Sequence, residues 1–188
     1  MSRLIVIRGP SGVGKSTVAN MLHSYAVAKT VLLPKDVFAV DFIKDSATLR
    51  PAMEDTFVCC LSRFLNIEEV VVIVEAATKS SHWIEIFDRA AKEAGVDPEY
   101  CFLKADIDTV LERAAERAKS DVVDEDFIRH HHAEVKPTGA QEEVILDAGG
   151  PIKDVASDLA TRLSIAMDYK NSKSKLNSGS LFRPEDVV

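Results

Sequence analysis

Cysteine is scarce in this chain, and the three that occur exclude a disulfide framework. Two of them, Cys59 and Cys60, are sequence neighbours, a spacing that rarely meets the geometry of a bridge. They sit in an apolar stretch, which predicts small buried hydrophobic side chains. No apolar run approaches the roughly 20 residues that a membrane-crossing helix needs. The first residues, Met1-Ser2-Arg3, lead through a short apolar run straight into a glycine-rich loop, a continuation that a signal peptide does not have. The expectation is a cytoplasmic protein with no membrane attachment. Positive charge is also in deficit, with 23 Lys and Arg against 30 Asp and Glu and a formal net charge of −7. Affinity for long nucleic acid comes largely from cations on phosphates, so this balance argues against nucleic-acid gripping as the main activity. A local basic cleft for a nucleotide stays compatible with it.

What is present suits a soluble globular enzyme. The 188 residues are 46% hydrophobic and 28% charged, enough for one domain with a core that needs no covalent staple. Short β-rich runs alternate with longer amphipathic segments, the pattern of βαβ units around a parallel sheet. Strands are predicted at Leu4–Arg8, Thr30–Leu33, Val70–Glu75, Tyr100–Lys104 and Glu143–Asp147. The third is apolar from Val70 through Val74, as a strand covered on both faces requires, and should be central. Helices are predicted over Lys15 to about Lys29, around Ser46–Leu65, and through Trp83, Ile84, Phe87, Ala90 and Ala91 to a C′ glycine at Gly95. Asp108 is expected to cap a helix over Thr109–Lys119, and Pro151 to begin the last one, through Ile152, Val155, Leu159 and Leu163. Between that fourth helix and the last strand, residues from about Ser120 to Gln141 are charged and irregular. A polar tail runs from Asn171 to Val188, giving a domain over residues 1–170 and a tail over 171–188.

The chemistry is announced at residues 9–17. Gly9-Pro10-Ser11-Gly12-Val13-Gly14-Lys15-Ser16-Thr17 satisfies G-x-x-x-x-G-K-[ST] in full, between a strand and a helix as the motif requires. Its glycines let the backbone turn its N–H groups inward as an anion nest. The helix beginning near Lys15 aims its positive end at the same spot. Lys15 is expected on the β- and γ-phosphates of a nucleotide, and Ser16 on Mg²⁺.

Other candidates lie where a parallel sheet binds ligands, beyond the carboxyl ends of its strands. Asp36, in Pro34-Lys35-Asp36-Val37-Phe38, could accept the proton of an acceptor hydroxyl or steady Mg²⁺-bound water, or could cap a helix. Asp41 and Asp45 are runner-up acids. Glu75 ends the buried third strand, where a carboxylate is costly unless solvated, paired or near a metal, so it is a candidate contact for acceptor or metal water, with an ordinary strand-end surface Glu as the alternative. Arg113 and Arg117, one helical turn apart, could clamp a transferring phosphoryl group or, with Glu112 and Glu116 interleaved, belong to a salt-laced exposed helix. The run His130-His131-His132 is read as a solvated face, because consecutive helical residues point in different directions and no metal-ligand spacing accompanies it.

On these residues the chain resembles the small P-loop kinases of the AAA_33-type group, which includes the kinase domain of phage polynucleotide kinase, and more distantly gluconate and shikimate kinases. The resemblance runs over about residues 3–165 and rests on Gly9–Thr17, Asp36, Glu75-Ala76-Ala77-Thr78, Arg113, Arg117 and the Glu143–Asp147 strand. It implies a P-loop three-layer sandwich, a five-stranded parallel sheet in the order 2-3-1-4-5 with helices on both faces, and a lid over about residues 118–141. It also implies ATP on the P-loop residues Gly9 to Thr17, with Arg113 contacting the nucleotide, Asp36 as general base and Arg117 on the phosphates. The chain departs from that family in having Ala39 where an Arg is frequent, and Glu75 where Asp often begins the strand-end motif. Both features help grip the acceptor in some members. Guanylate kinases share Gly-Pro-Ser-Gly-Val-Gly-Lys, but their GMP-binding stretch is missing downstream. The expected activity is transfer of the γ-phosphoryl group of ATP to a hydroxyl, on a small-molecule or nucleoside-type acceptor. A polynucleotide 5′-hydroxyl kinase and an acceptor-free NTP hydrolase or switch are the alternatives.

Overall fold

A computed structural model of the chain describes residues 1–37, 46–77, 81–117, 124–139 and 142–169, with the side chains of 46, 47 and 117 outside that description. The expectations placed on Ala39, Asp41, Asp45, Thr78, the 171–188 tail and part of the lid segment lie outside the described residues.

Five strands form one sheet: β1 (Arg3–Arg8), β2 (Lys29–Pro34), β3 (Val70–Ala76), β4 (Pro98–Lys104) and β5 (Val144–Asp147). Every pairing is parallel and the order is β2-β3-β1-β4-β5, as expected. Among the described residues six helices accompany them: α1 (Lys15–Tyr25), α2 (Ser46–Leu65), α3 (Ser81–Glu93), α4 (Ile107–Arg117), α5 (Glu125–Glu134) and α6 (Ile152–Arg162).

The period of two in the central strands divides the core into two layers. Ile5 and Ile7 of β1, with Val71 and Ile73 of β3, join Val18 and Leu22 of α1 and Val155 and Leu159 of α6 on one face. Leu4 and Val6, with Val70, Val72 and Val74, join Phe57 and Leu61 of α2 and Trp83 and Phe87 of α3 on the other. Every residue of β3 is buried, which accounts for its unbroken apolar run. Gly95 ends α3 as expected, at φ 69°, and the Val96 N–H reaches back to the Ala91 carbonyl.

Several local expectations are corrected. α1 stops at Tyr25, because Ala26 turns extended and bridges Met167 in antiparallel fashion, docking the residues after α6 against it. α3 buries Ile86, with Ile84 only half-buried. α4 begins at Ile107, so the Asp106 carbonyl receives the first helical bond from Val110, and Asp108 lies inside the first turn. Cys59 is exposed and Cys60 half-buried, because the α2 stripe Met53, Phe57, Leu61 and Leu65 repeats every four residues and leaves position 59 on the outer face. Cys101 is the buried thiol, and burial pushes it up to about 12.

The segment after α4 also differs from the irregular stretch expected. It contains α5, which starts where Asp124 accepts the Phe127 N–H at 3.0 Å. Ile128 packs with Val110 and Ala114 of α4.

Candidate active site

Strand β1 delivers the chain to the loop at residues 9–14, and α1 leaves from it. Gly9 and Gly14 are demanded by close approach as well as by conformation. A Cβ at Gly9 (φ 146°) would lie 2.4 Å from the Leu103 carbonyl oxygen, and one at Gly14 (φ 108°) 2.6 Å from Ile152 Cδ1. Gly14 is the N-cap of α1 and supplies no side-chain cap, so the first N–H groups of the helix remain available to an anion.

Parallel register decides which side chains meet. Glu75 pairs with Ile7 of β1 on one side and with Pro34 of β2 on the other. It therefore stands between the loop lysine and the acid that follows β2. Lys15 is 5% exposed; its Nζ donates to the Pro10 carbonyl at 2.8 Å and lies 3.9 Å from Glu75 Oε1. Burial raises the Glu75 carboxyl above the ordinary range; Lys15 opposes that shift, the Asp36 charge reinforces it, and a hydrogen bond from Ser16 and the charge of Lys35 oppose it. Asp36 lies two residues beyond the end of β2, its Oδ1 2.7 Å from Lys35 Nζ, and its Oδ2 accepts the Ala77 N–H at 3.4 Å. With its side chain 40% exposed, Asp36 faces a cleft of about 490 Å³ that Ser11, Lys15, Ser16 and Glu75 also line.

Lys15, Ser16, Asp36 and Glu75, proposed separately from sequence, thus share one cleft. The arginines do not join them in the same way. Arg113 reaches back to the loop, donating to the carbonyls of Val13 (3.3 Å), Ala148 (2.7 Å), Gly149 (3.3 Å) and Gly150 (2.8 Å). It binds the phosphate loop to the turn between β5 and α6. Arg117 is the last residue of α4, and its side chain lies outside the described residues.

Sequence reading missed five contributors. Lys35, 8% exposed and 5.2 Å above the Trp83 ring, holds Asp36 in place; the only signal was a cation beside the candidate base. Arg8 and Glu143 form a buried pair at 2.8 Å below the loop. Arg8 also donates to the Lys136 carbonyl, while Glu143 accepts from the Thr138 N–H and hydroxyl. Of the three histidines expected to be solvated, only His130 is exposed. His131 accepts the Ser11 N–H at its Nδ1, at 3.0 Å, and His132 Nε2 lies 2.8 Å from the Ala105 carbonyl.

Known structures share the fold. The chain superposes on the tunicamycin resistance protein of Deinococcus radiodurans with a TM-score of 0.67, at 19% identity, covering 89% of this chain and 99% of that one. A gluconokinase from Sinorhizobium meliloti gives a TM-score of 0.57 at 19% identity, with 86% and 95% covered. The shikimate kinase of Bacteroides thetaiotaomicron gives 0.54 at 18% identity, with 86% and 98% covered. No curated protein matches the sequence. At these identities the superpositions establish the fold, that of the small P-loop kinases. The AAA_33 family, described as an AAA domain, matches residues 4–138. With its phosphate loop inside that match and its sheet in the kinase order, the chain belongs to the AAA_33 family as a small P-loop kinase-like protein.

Proposed function

We propose that this protein is an ATP-dependent phosphotransferase that moves the γ-phosphoryl group of ATP to a hydroxyl of a small-molecule or nucleoside-type acceptor. The observation that carries the reading is the meeting of Asp36 with Lys15 and Ser16 in one cleft. A phosphate loop alone serves hydrolases and switches as well. A half-exposed carboxylate across the cleft, held by Lys35 and the Ala77 N–H, supplies a base for an acceptor hydroxyl.

In this reading the backbone N–H groups of residues 12–16 hold the phosphate chain, and Lys15 turns from the Pro10 carbonyl to the β- and γ-phosphates. Asp36 orients the acceptor hydroxyl and takes its proton as the new O–P bond forms. Arg113 keeps the nucleotide side of the loop in register with the β5–α6 turn, and Arg117 meets the charge of the transferring group. Most of the rate comes from positioning and electrostatics. The residues present fit a divalent cation: Ser16 lines the same cleft as Glu75, a buried carboxylate whose ionisation burial opposes and a cation would favour. Ser16, with Glu75 behind it, would hold Mg²⁺, which neutralises the β- and γ-phosphate oxygens when bound.

Relatives named for gluconate and shikimate suggest polar small molecules as the first acceptors to try. The deciding experiment is a transfer screen with γ-labelled ATP over sugars, hydroxy acids, nucleosides, aminoglycoside-like antibiotics and oligonucleotides bearing 5′-hydroxyls. Label moving to a small hydroxylated compound supports the reading. Label moving to oligonucleotides alone makes the protein a polynucleotide kinase. Release of phosphate at the same rate with every acceptor makes it a hydrolase.

A further inference from the structure

The three consecutive histidines of α5 have three different environments. His130 is exposed and lies 3.1 Å from Glu134, one turn along the same helix. His132 meets the β4–α4 corner at the Ala105 carbonyl. His131 meets the phosphate loop at the Ser11 N–H. Neighbouring helical residues project about 100° apart, so the last two contacts hold α5 at two separate points and fix its rotation about its axis. Ile128, packed on α4, adds a third point.

The chemistry of the His131 contact is specified atom by atom. A backbone N–H only donates, so Nδ1 must present a lone pair, the ring must be neutral, and its proton must reside on Nε2. The ring is also oriented from its own helix. Phe127, one turn earlier, stacks on it with centroids 5.6 Å apart and planes at 23°. A ring held this way restrains the Pro10–Ser11 peptide, and with it Ser11, which lines the cleft beside Lys15 and Asp36. The same peptide carries the Pro10 carbonyl that accepts from Lys15.

We propose that His131 is a positioning residue of the phosphate loop: its neutral imidazole accepts the Ser11 N–H, docks α5 against the loop and holds residues 10–11 in the form that takes the triphosphate. This rests on the nucleotide reading of the loop given above and extends it to a residue 120 positions away.

The test uses the full chain and reads binding and exchange rather than turnover. His131→Phe keeps a ring against Phe127 but removes the acceptor, and His131→Asn returns an acceptor near the place of Nδ1. His130→Asn is the control. Hydrogen exchange at the Ser11 amide should quicken about tenfold in His131→Phe, the worth of one ordinary hydrogen bond. Mg²⁺–ATP affinity should fall by a similar factor. His131→Asn should recover most of both, and His130→Asn should change neither. In the parent, nitrogen NMR should find Nδ1 of His131 bare and Nε2 protonated, a readout that needs no substitution. The opposite tautomer, or unchanged Ser11 exchange in His131→Phe, overturns the proposal. Faster exchange with unchanged ATP affinity also overturns it, since the bond then does not prepare the loop. A parent that binds no Mg²⁺–ATP overturns it together with the nucleotide reading. A parent that binds ATP but phosphorylates nothing overturns the kinase reading alone, leaving His131 to be judged on exchange and affinity.

Discussion

Lys15 and Glu75 lie 3.9 Å apart, Nζ to Oε1, with both side chains nearly sealed from solvent and with β1 and β3 side by side beneath them. The lysine is already committed to the Pro10 carbonyl, so the loop holds its cation close to the carboxylate without giving it wholly over. Lys15→Ala should abolish phosphoryl transfer and leave the fold intact, because it removes the loop's own cation. Transfer assays beside far-ultraviolet circular dichroism check this; near-normal turnover with an unchanged spectrum contradicts the kinase assignment.

Asp36→Asn keeps the size and most of the hydrogen bonding of Asp36 while removing its charge and its basic site. Mg²⁺–ATP and acceptor should still bind, and transfer should fall by roughly 10²–10⁴-fold, the range for a positioned general base. A residue that steadied only metal-bound water would instead lose nucleotide affinity in a Mg²⁺-dependent way. Single-turnover transfer, measured alongside ATP titrations with and without Mg²⁺, separates the two, and full activity removes Asp36 from the mechanism.

The two arginines of α4 should separate in their kinetics. Arg113 is bonded to four backbone carbonyls around the loop, so Arg113→Ala should raise the KM for ATP and lower stability by about 1.5–3 kcal/mol, the worth of charged hydrogen bonds. Arg117→Ala should spare ATP binding and lower kcat by about 10³-fold, since its charge counts most in the transition state. Steady-state kinetics and urea unfolding of both variants test the division; the reverse pattern would exchange their roles.

Glu75 predicts a pH effect on stability. Burial raises its carboxyl in the folded chain above the unfolded value. A raised acid stabilises the fold below its unfolded pKa, and that contribution is lost as pH rises through the folded pKa. Glu75→Gln should therefore be more stable than the parent, without nucleotide, at neutral pH, and the difference should vanish once the pH falls below the unfolded carboxylate range. Urea unfolding from about pH 3 to pH 8 measures it. A difference independent of pH would mean that Glu75 is not held with a raised pKa.

The helices show how far sequence pattern reaches. The α2 stripe and the α3 ending at Gly95 follow from side-chain period and one left-handed residue, both readable locally. α5 escaped because its polar residues mask a narrow apolar contact: Ile128 is its buried position, and the helix gains most of its anchorage from Ser11, Ala105 and α4. Cys59 shows the opposite error, since an apolar neighbourhood in sequence does not say which side of the helix faces the core.

The sequence by itself determined the anion-binding loop and the layered α/β architecture. The loop needs only contiguous residues, glycines that permit positive φ followed by a helix start, and the sheet declares itself through short apolar runs alternating with amphipathic segments. Only the tertiary structure decided how the site is assembled. Glu75 reaches Lys15 because β3 pairs with β1, and Asp36 joins them because β2 lies beyond β3. Arg113 turns to the loop because α4 approaches the β5–α6 turn, and His131 meets Ser11 because α5 docks at the carboxyl edge of the sheet. These contacts span from about 40 to more than 100 residues of chain. They depend on strand order and parallel register, which arise from packing the whole sheet and leave no mark within any one segment.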